Sequence, residues 1–592
     1  MQRSLPRVAL PTACALAALT IWAAPPGLAG PAKSAVLSAD PQILAAGPAA
    51  AAALAANLAD HDDAADHVWN ESDVQAVTLT GSGATSTATG VTISGSTVTI
   101  TSAGTYRFTG SLTNGQIVVN STGTGTVRII LNGVTVANST SSAVNIQAAD
   151  EAMVVLAAGT TNRLSDATSY VYPSGATEPD AALFSAADLT ITGTGALTVQ
   201  GNAYDGIASK DGLVIDSAAI TVTAKDDAIR GKDYLLVNSG TITATATAGD
   251  GLKATNDSDT TAGYVALIGG TVNITAAGDG VSAETDVITS GGTLTVKSGG
   301  GSTVAPGDTS TKGLKAGVSV VISEGQLTLD SSDDAVNSDA AITVDGGTVT
   351  AATGDDGLHA ETGLTISAGT VTVTKSYEGI EGLKVTVSGG TVSATATDDA
   401  FNASEAGLPD MQVAPNASIN VTAGTVVADA GTDGLDSNGT LNLSGGTVVV
   451  KGSATRGGGE GGLDSNGALS ITGGIVLSTG VSATTSTLPS SGQGWVSYTF
   501  SANQAAGTIV HLATTAGVQI MAFRSTKAFR GVVFSSTAIS RGTSYDLYTG
   551  GTVSGTAVGG SLYPTTGSLT GATKVATVVA GTQTTTGGGG RP

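Results

Sequence analysis

Acidic residues recur in this chain at Asp334, Asp356, Glu378 and Asp399, at steps of 22, 22 and 21 residues. Each is followed by a small residue, an aliphatic and a polar residue, and Asp333, Asp355 and Asp398 double the acid in three of the four repeats. If the repeats stack, equivalent side chains lie about 5 Å apart. Two carboxylates at that distance repel by roughly 3 kcal/mol at an effective dielectric near 20. Such a column needs either bound cations or raised pKa values. Ca²⁺ suits the donors, because it accepts carboxylate, amide and backbone oxygens in irregular geometry. The candidate ligands are Asp333, Asp334, Asp355, Asp356, Glu378, Glu381, Asp398, Asp399 and Asn402 in a central cluster. Asp226, Asp227 and Asp250 form a second cluster, and Asp433 and Asp436, with Glu460 and Asp464, a third. An Asp before Gly or Ala is also a turn former. That accounts for scattered Asp-Gly pairs, but not for doubled acids in consecutive repeats. His359 is the only histidine near the central cluster, so the donors do not favour a transition metal.

The elements that must position these residues are short β-strands. Gly (83 residues), Thr, Val, Ser and Ala dominate the chain, and Gly-Gly-Thr turns punctuate alternating apolar and polar runs. A repeat near 22 residues built this way predicts an all-β, right-handed parallel β-helix, a solenoid of ~22-residue coils with β-rich N- and C-terminal caps. The acid position extends to Asp205, Asp227, Asp250 and Asp279, breaks at Lys312, and resumes from Asp334 to Asp433. Two residues on, Ile207, Ile229, Leu252, Val281, Leu314, Val336, Leu358, Ile380, Phe401, Leu435 and Leu463 form a mostly aliphatic column expected to be core.

The organisation reads as a signal peptide over 1–29, an Ala/Pro-rich linker over 30–76, the repeat domain over 77–484, a C-terminal β cap over 485–555 and a flexible Gly/Thr-rich tail over 556–592. Arg3 and Arg7 precede the apolar run Val8–Ala24, a leader pattern that implies export to the extracellular space or cell surface. The single cysteine, Cys14, falls inside that leader, so no disulfide is expected. No later stretch is apolar enough to span a membrane. A net charge of −23 argues against nucleic acid as a partner. The chain is expected to act as a monomer.

Several stretches together resemble the secreted, calcium-binding, carbohydrate-binding β-helix proteins related to polysaccharide lyases of bacterial biomass degraders. Among them are SAGTYRFTGSLTNGQIVVN, VRIILNGVTV, YDGIASKDGLVI, DDAIRGKDY, KSYEGIEG, DDAFNAS, DGLDSNGTLNLSGGTVVV and TKAFRGVVFSS. The resemblance implies a parallel β-helix with several Ca²⁺ ions that binds plant-type polysaccharides, acidic sugars included, without established lyase activity. Lys312 departs from a continuous ladder of acids. Beyond the leader, Trp69 and Trp495 are the only tryptophans, too few for a flat aromatic platform.

The leading expectation is therefore a non-catalytic secreted polysaccharide-binding protein, with Ca²⁺ ordering the coils and bridging to acidic sugars. One alternative is a Ca²⁺-dependent, pectate-type lyase, whose base would be Lys253, Lys315 or Arg230, in the polar position after the aliphatic column. A purely structural surface adhesin is the other.

Overall fold

Two of the Gly-Gly-Thr sequences expected to end strands, 291–293 and 346–348, lie inside them. In the computed structural model, which describes residues 48–584 apart from 410, 456–460 and 565–566, Asp286–Ser298, Ser319–Ser331, Ala341–Thr353 and Gly363–Lys375 are each continuous strands of 13 residues. Gly292 (φ +75°) and Gly347 (φ +68°) turn these strands in the left-handed region, which a side chain adopts only at a cost. The corner thus bends the strand without ending it.

This bending closes the largest sheet. One arm runs from Thr126–Ala137 through Glu151–Leu156, Leu189–Thr192, Gly212–Ile215, Tyr234–Val237 and Tyr264–Leu267 to Asp286–Ser298. The other returns through Thr271–Ala276, Thr241–Ala246, Ala219–Ala224, Ala196–Gly201 and Thr161–Ser165 to Thr126–Ala137. The result is a twelve-stranded parallel β-barrel with extra strands outside it. This corrects the expected fold, an open right-handed parallel β-helix solenoid. The two bent strands Thr126–Ala137, with Gly133 at φ +74°, and Asp286–Ser298 each pair with both arms, so faces expected to be separate are hydrogen-bonded into one ring.

In a second sheet of sixteen strands, mostly three residues long, the acids of the column sit two residues before the strands, only Asp205 lying within one. From Ala181 to Ser465 its strands are parallel and in register, so Leu358 pairs with Ile380, and Ile380 with Phe401. The whole aliphatic column from Ile207 to Leu463 is buried, joining one core with residues of the large sheet.

Two boundary expectations change. The segment 30–76, expected as a linker, contains a helix, Pro48–Ala56, lying on Val214, Tyr234, Leu236, Tyr264, Ala266, Ile288 and Val321. Alanine is the best helix former, and this outward apolar patch of the sheet gives the helix something to cover. The N–H groups of Ala49 and Ala50 donate to Asp345 Oδ2 (3.0 Å) and Ser323 Oγ (2.9 Å). The stretch 556–592, expected as a flexible tail, contains the strand Ser568–Val579, which pairs with Ser544–Thr552 in a five-stranded antiparallel sheet. The leader over 1–29 and the last eight residues, 585–592, lie outside the described residues.

Candidate functional site

The aspartates of the column each spend one oxygen on the backbone of the next repeat. The N–H groups of Asp227, Asp250 and Asp279 donate to Oδ1 of Asp205 (3.1 Å), Asp227 (2.8 Å) and Asp250 (2.7 Å). The N–H of Lys312 does the same to Asp279 (2.7 Å), that of Asp356 to Asp334 (3.1 Å) and that of Glu378 to Asp356 (3.1 Å). The Asp433 N–H donates to Asp399 Oδ1 at 2.8 Å. The turn-forming role of these acids is thus real, and it leaves the second oxygen for other work.

Through the first half of the column that second oxygen meets a cation from the chain itself. Arg230 Nε lies 2.6 Å from Asp205 Oδ2, and its Nη2 lies 2.8 Å from Asp180. Lys253 Nζ bridges Asp227 (3.3 Å) and Asp250 (2.9 Å). Lys315 lies 3.7 Å from Asp279 Oδ2, and Lys312 bridges Asp333 (2.9 Å) and Asp334 (2.6 Å). Burial alone would lower the pKa of Lys312, but Asp334 and Asp333 outweigh it and hold the ammonium above its ordinary value. Burial would likewise raise Asp333, but the Lys312 hydrogen bond holds it below the usual carboxylate range. Arg230 and Lys253, too, are held protonated by their acid partners against burial. Of the residues proposed as lyase bases, Arg230 and Lys253 are therefore fixed counter-ions, and Lys315 is the most loosely held.

The pattern changes at His359. The register column Arg230, Lys253, Ser282, Lys315, Asn337, His359, Glu381, Asn402, Asp436, Asp464 passes from basic to acidic along the sheet. Oxygens of Asp356, Glu378 and Glu381 lie within 4.8 Å of one another. Among the described residues no Lys or Arg forms an ion pair with these three. His359 Nδ1 stands 3.6 Å from both Asp356 and Glu381. Burial, then the charge of Asp334 and those of Glu381 and Glu378, pushes Asp356 far above the carboxylate range. Glu378 is pushed up to about 8 by burial and then by Glu381, although Asn402 Nδ2 donates to its Oε2 at 2.8 Å. The Oδ1 of Asn402 is buried without a hydrogen-bond partner. A cavity of about 340 Å³, lined in part by His359, Glu361, Glu381 and Glu405, opens beside these groups.

The remaining candidates are scattered. Asp226 is exposed, with an oxygen within 4.8 Å of oxygens of Asp205 and Asp227. Asp355 groups with Asp333 and Asp334 in the same way. Thr432 Oγ1 donates to both Asp398 and Asp399, tying those acids to the next repeat. Asp433 accepts the Gly461 N–H and is pushed up to about 8, mainly by burial and then by Asp399, against that hydrogen bond. Asp436 pairs in register with Asn402 and Asp464, while Glu460 lies outside the described residues. The role of Lys312 escaped the sequence reading, although its position in the acid column was the signal: a lysine there replaces a carboxylate with its counter-ion. Glu361 and Glu405 lie outside the acid column and become visible only as lining of the cavity.

Residues 94–357 match the family described as "Carbohydrate-binding domain-containing protein". A carbohydrate-binding domain-containing protein of Acetivibrio thermocellus is 34% identical over 136 residues, which is 23% of this chain and 48% of that relative. The match thus spans about half the length of the curated relative. The solved structure of a polysaccharide lyase-like protein from C. thermocellum, a gadolinium derivative, aligns at 29% identity with a TM-score of 0.39, covering 42% of this chain and 95% of that one. The stretch matching the family includes the acids from Asp205 to Asp356 and ends before Glu378 and Glu381. No helix among the described residues is long and apolar enough to cross a membrane.

Proposed function

We propose that this chain is an exported, non-catalytic polysaccharide-binding protein that holds Ca²⁺ at Asp356, Glu378, Glu381 and Asn402. The observation that carries the reading is where the chain's own cations stop. Arg230, Lys253, Lys315 and Lys312 serve the acids from Asp205 to Asp334, whereas the buried carboxylate of Asp356 and the half-buried one of Glu378 face one another and Glu381. Three converging carboxylates form an all-oxygen donor set of the kind a hard divalent cation takes, and Asn402, whose Oδ1 is buried without a hydrogen-bond partner, adjoins Glu378. The similarity of residues 94–357 to carbohydrate-binding proteins supports a glycan as the partner. The adjoining cavity gives a sugar carboxylate access to the same cation, and the leader-like run Val8–Ala24 supports export.

Calcium titration followed by calorimetry and thermal melting tests this. We expect Ca²⁺ to raise the Tm of chelator-treated protein, and E378Q or E381Q to abolish that rise while leaving the protein folded. Acidic-oligosaccharide binding should fall with chelation. A Tm indifferent to Ca²⁺, or Zn²⁺ displacing Ca²⁺ at equal concentration, overturns the assignment of the ion.

A further inference from the structure

We infer a second glycan subsite at the Asp205 end of the column, built around Tyr204, Lys225, Arg163 and Gln200 and selective for acidic sugars. It rests on the polysaccharide-binding reading above, but shares no residue with the Asp356–Glu378–Glu381 group.

Tyr204 is 38% exposed, on the loop that joins Ala196–Gly201 to Asp205–Ser209. Its ring meets Tyr170 edge-on, with centroids 5.4 Å apart, and Tyr170 in turn lies 5.8 Å from Tyr172. Both supporting tyrosines are fixed. Tyr170 donates to Asp166 Oδ2 (2.8 Å) and the Ala181 carbonyl (3.0 Å), and Tyr172 to the Pro179 carbonyl (2.9 Å). Tyr204 is therefore an exposed ring on a rigid aromatic base, the arrangement that stacks a pyranose at low entropic cost.

The carbonyl of Tyr204 accepts the N–H groups of Lys225 and Asp226, each at 3.2 Å, bringing the next repeat alongside. A groove of about 270 Å³ lies there, lined by Gln200, Gly201, Asn202, Thr223, Ala224, Lys225 and Thr247, with Arg163 joined to its wall through Gln200 and Tyr204 through the backbone of Lys225. Asn202 is locked, its side-chain amide donating to Asp166 and Ser165. Gln200 accepts from Arg163 Nη2 through Oε1, which leaves its Nε2 hydrogens for a ligand. Lys225 and Arg163 have no acidic partner among the described residues, in contrast to Arg230, Lys253 and Lys312 in the column. Asp226, the nearest acid in sequence, sits with Asp205 and Asp227. Two unneutralised cations, amide and hydroxyl donors and a supported aromatic ring in a protein of net charge −23 select a sugar that carries a carboxylate. The whole constellation falls inside the stretch 94–357 that matches carbohydrate-binding proteins, whereas Glu378 and Glu381 fall outside it.

Calorimetric titration of the full chain with tetragalacturonate and with cellotetraose, in chelator and in Ca²⁺, tests the subsite. In chelator, where only this subsite remains competent, tetragalacturonate should bind more tightly than cellotetraose. Y204A should weaken tetragalacturonate about tenfold, Y204F should retain most of the affinity, and K225A should weaken it several-fold while lessening its salt dependence. E381Q should leave this chelator-resistant binding unchanged. Wild-type affinity in Y204A and K225A, with Ca²⁺-dependent binding intact, overturns the subsite alone. No binding of either sugar by the wild-type chain under any condition overturns both this inference and the polysaccharide-binding reading.

Discussion

At the scale of single residues, a carboxylate in this column has two oxygens with separate duties. Oδ1 takes the next repeat's N–H, and the other oxygen requires positive charge. Lys312 shows how the chain meets that requirement, by spending one acid position on an ammonium that serves both Asp333 and Asp334. Glu378 and Asp433 have no such ammonium in an ion pair among the described residues, and each is pushed up to about 8 chiefly by burial. In the unfolded chain both titrate near 4. Between about pH 4 and pH 8 the folded state therefore holds protons that the unfolded state has released, and stability falls as pH rises through that window. Thermal melts in chelator should show Tm decreasing from pH 5 to pH 8, and saturating Ca²⁺ should flatten the slope by taking the protons' place. A chelated protein whose Tm is constant across that range would refute the assignment of these raised values.

At the scale of elements, the glycine corner decides the sheet architecture. Gly347 sits within Ala341–Thr353 at φ +68°, where a Cβ is strained. Gly363, at the start of Gly363–Lys375, has no positive φ, and an added Cβ there would meet nothing within 4 Å. We expect G347A to cost about 1–2 kcal/mol and G363A to be near neutral, read from denaturant midpoints. Equal effects from the two would show that the bend does not depend on left-handed backbone. The alternation around such corners was legible in the sequence, and Val349 and Ala351 are buried as it requires. That the corner joins strands was not legible, because the same Gly-Gly-Thr serves a turn and a bend equally well, and only neighbouring strands on both sides of it distinguish them.

At the scale of the whole molecule, the C-terminal region finishes the stack. Ile475–Gly480 pairs antiparallel with Phe529–Ser535, and Val449 and Leu477 pack into a second core with Phe523, Phe529 and Phe534. Lys527 anchors this region by donating to the Ala430 carbonyl (2.6 Å) and pairing with Asp429. A chain ending at residue 484 would expose the hydrogen-bonding edge of Ile475–Gly480 and the apolar surface of Val449 and Leu477. We expect it to self-associate, seen by light scattering, where the full chain does not. A truncated chain that stays dispersed and keeps its Tm would show that this shielding is dispensable.

The sequence by itself determined the all-β character, the repeat near 22 residues, the buried column from Ile207 to Leu463 and the alignment of the acids, because these follow from local spacing and side-chain chemistry. Only the tertiary structure decided that bent strands join two arms into a closed barrel. It also decided that Lys312, Lys253 and Arg230 neutralise part of the column, and that Asp356, Glu378 and Glu381 are left to one another. The physical reason is register. Whether a lysine and a carboxylate 21 to 26 residues apart come to 2.6–3.3 Å, or a strand finds partners on both sides of its glycine, depends on how repeats of unequal length stack, and spacing along one chain does not specify that.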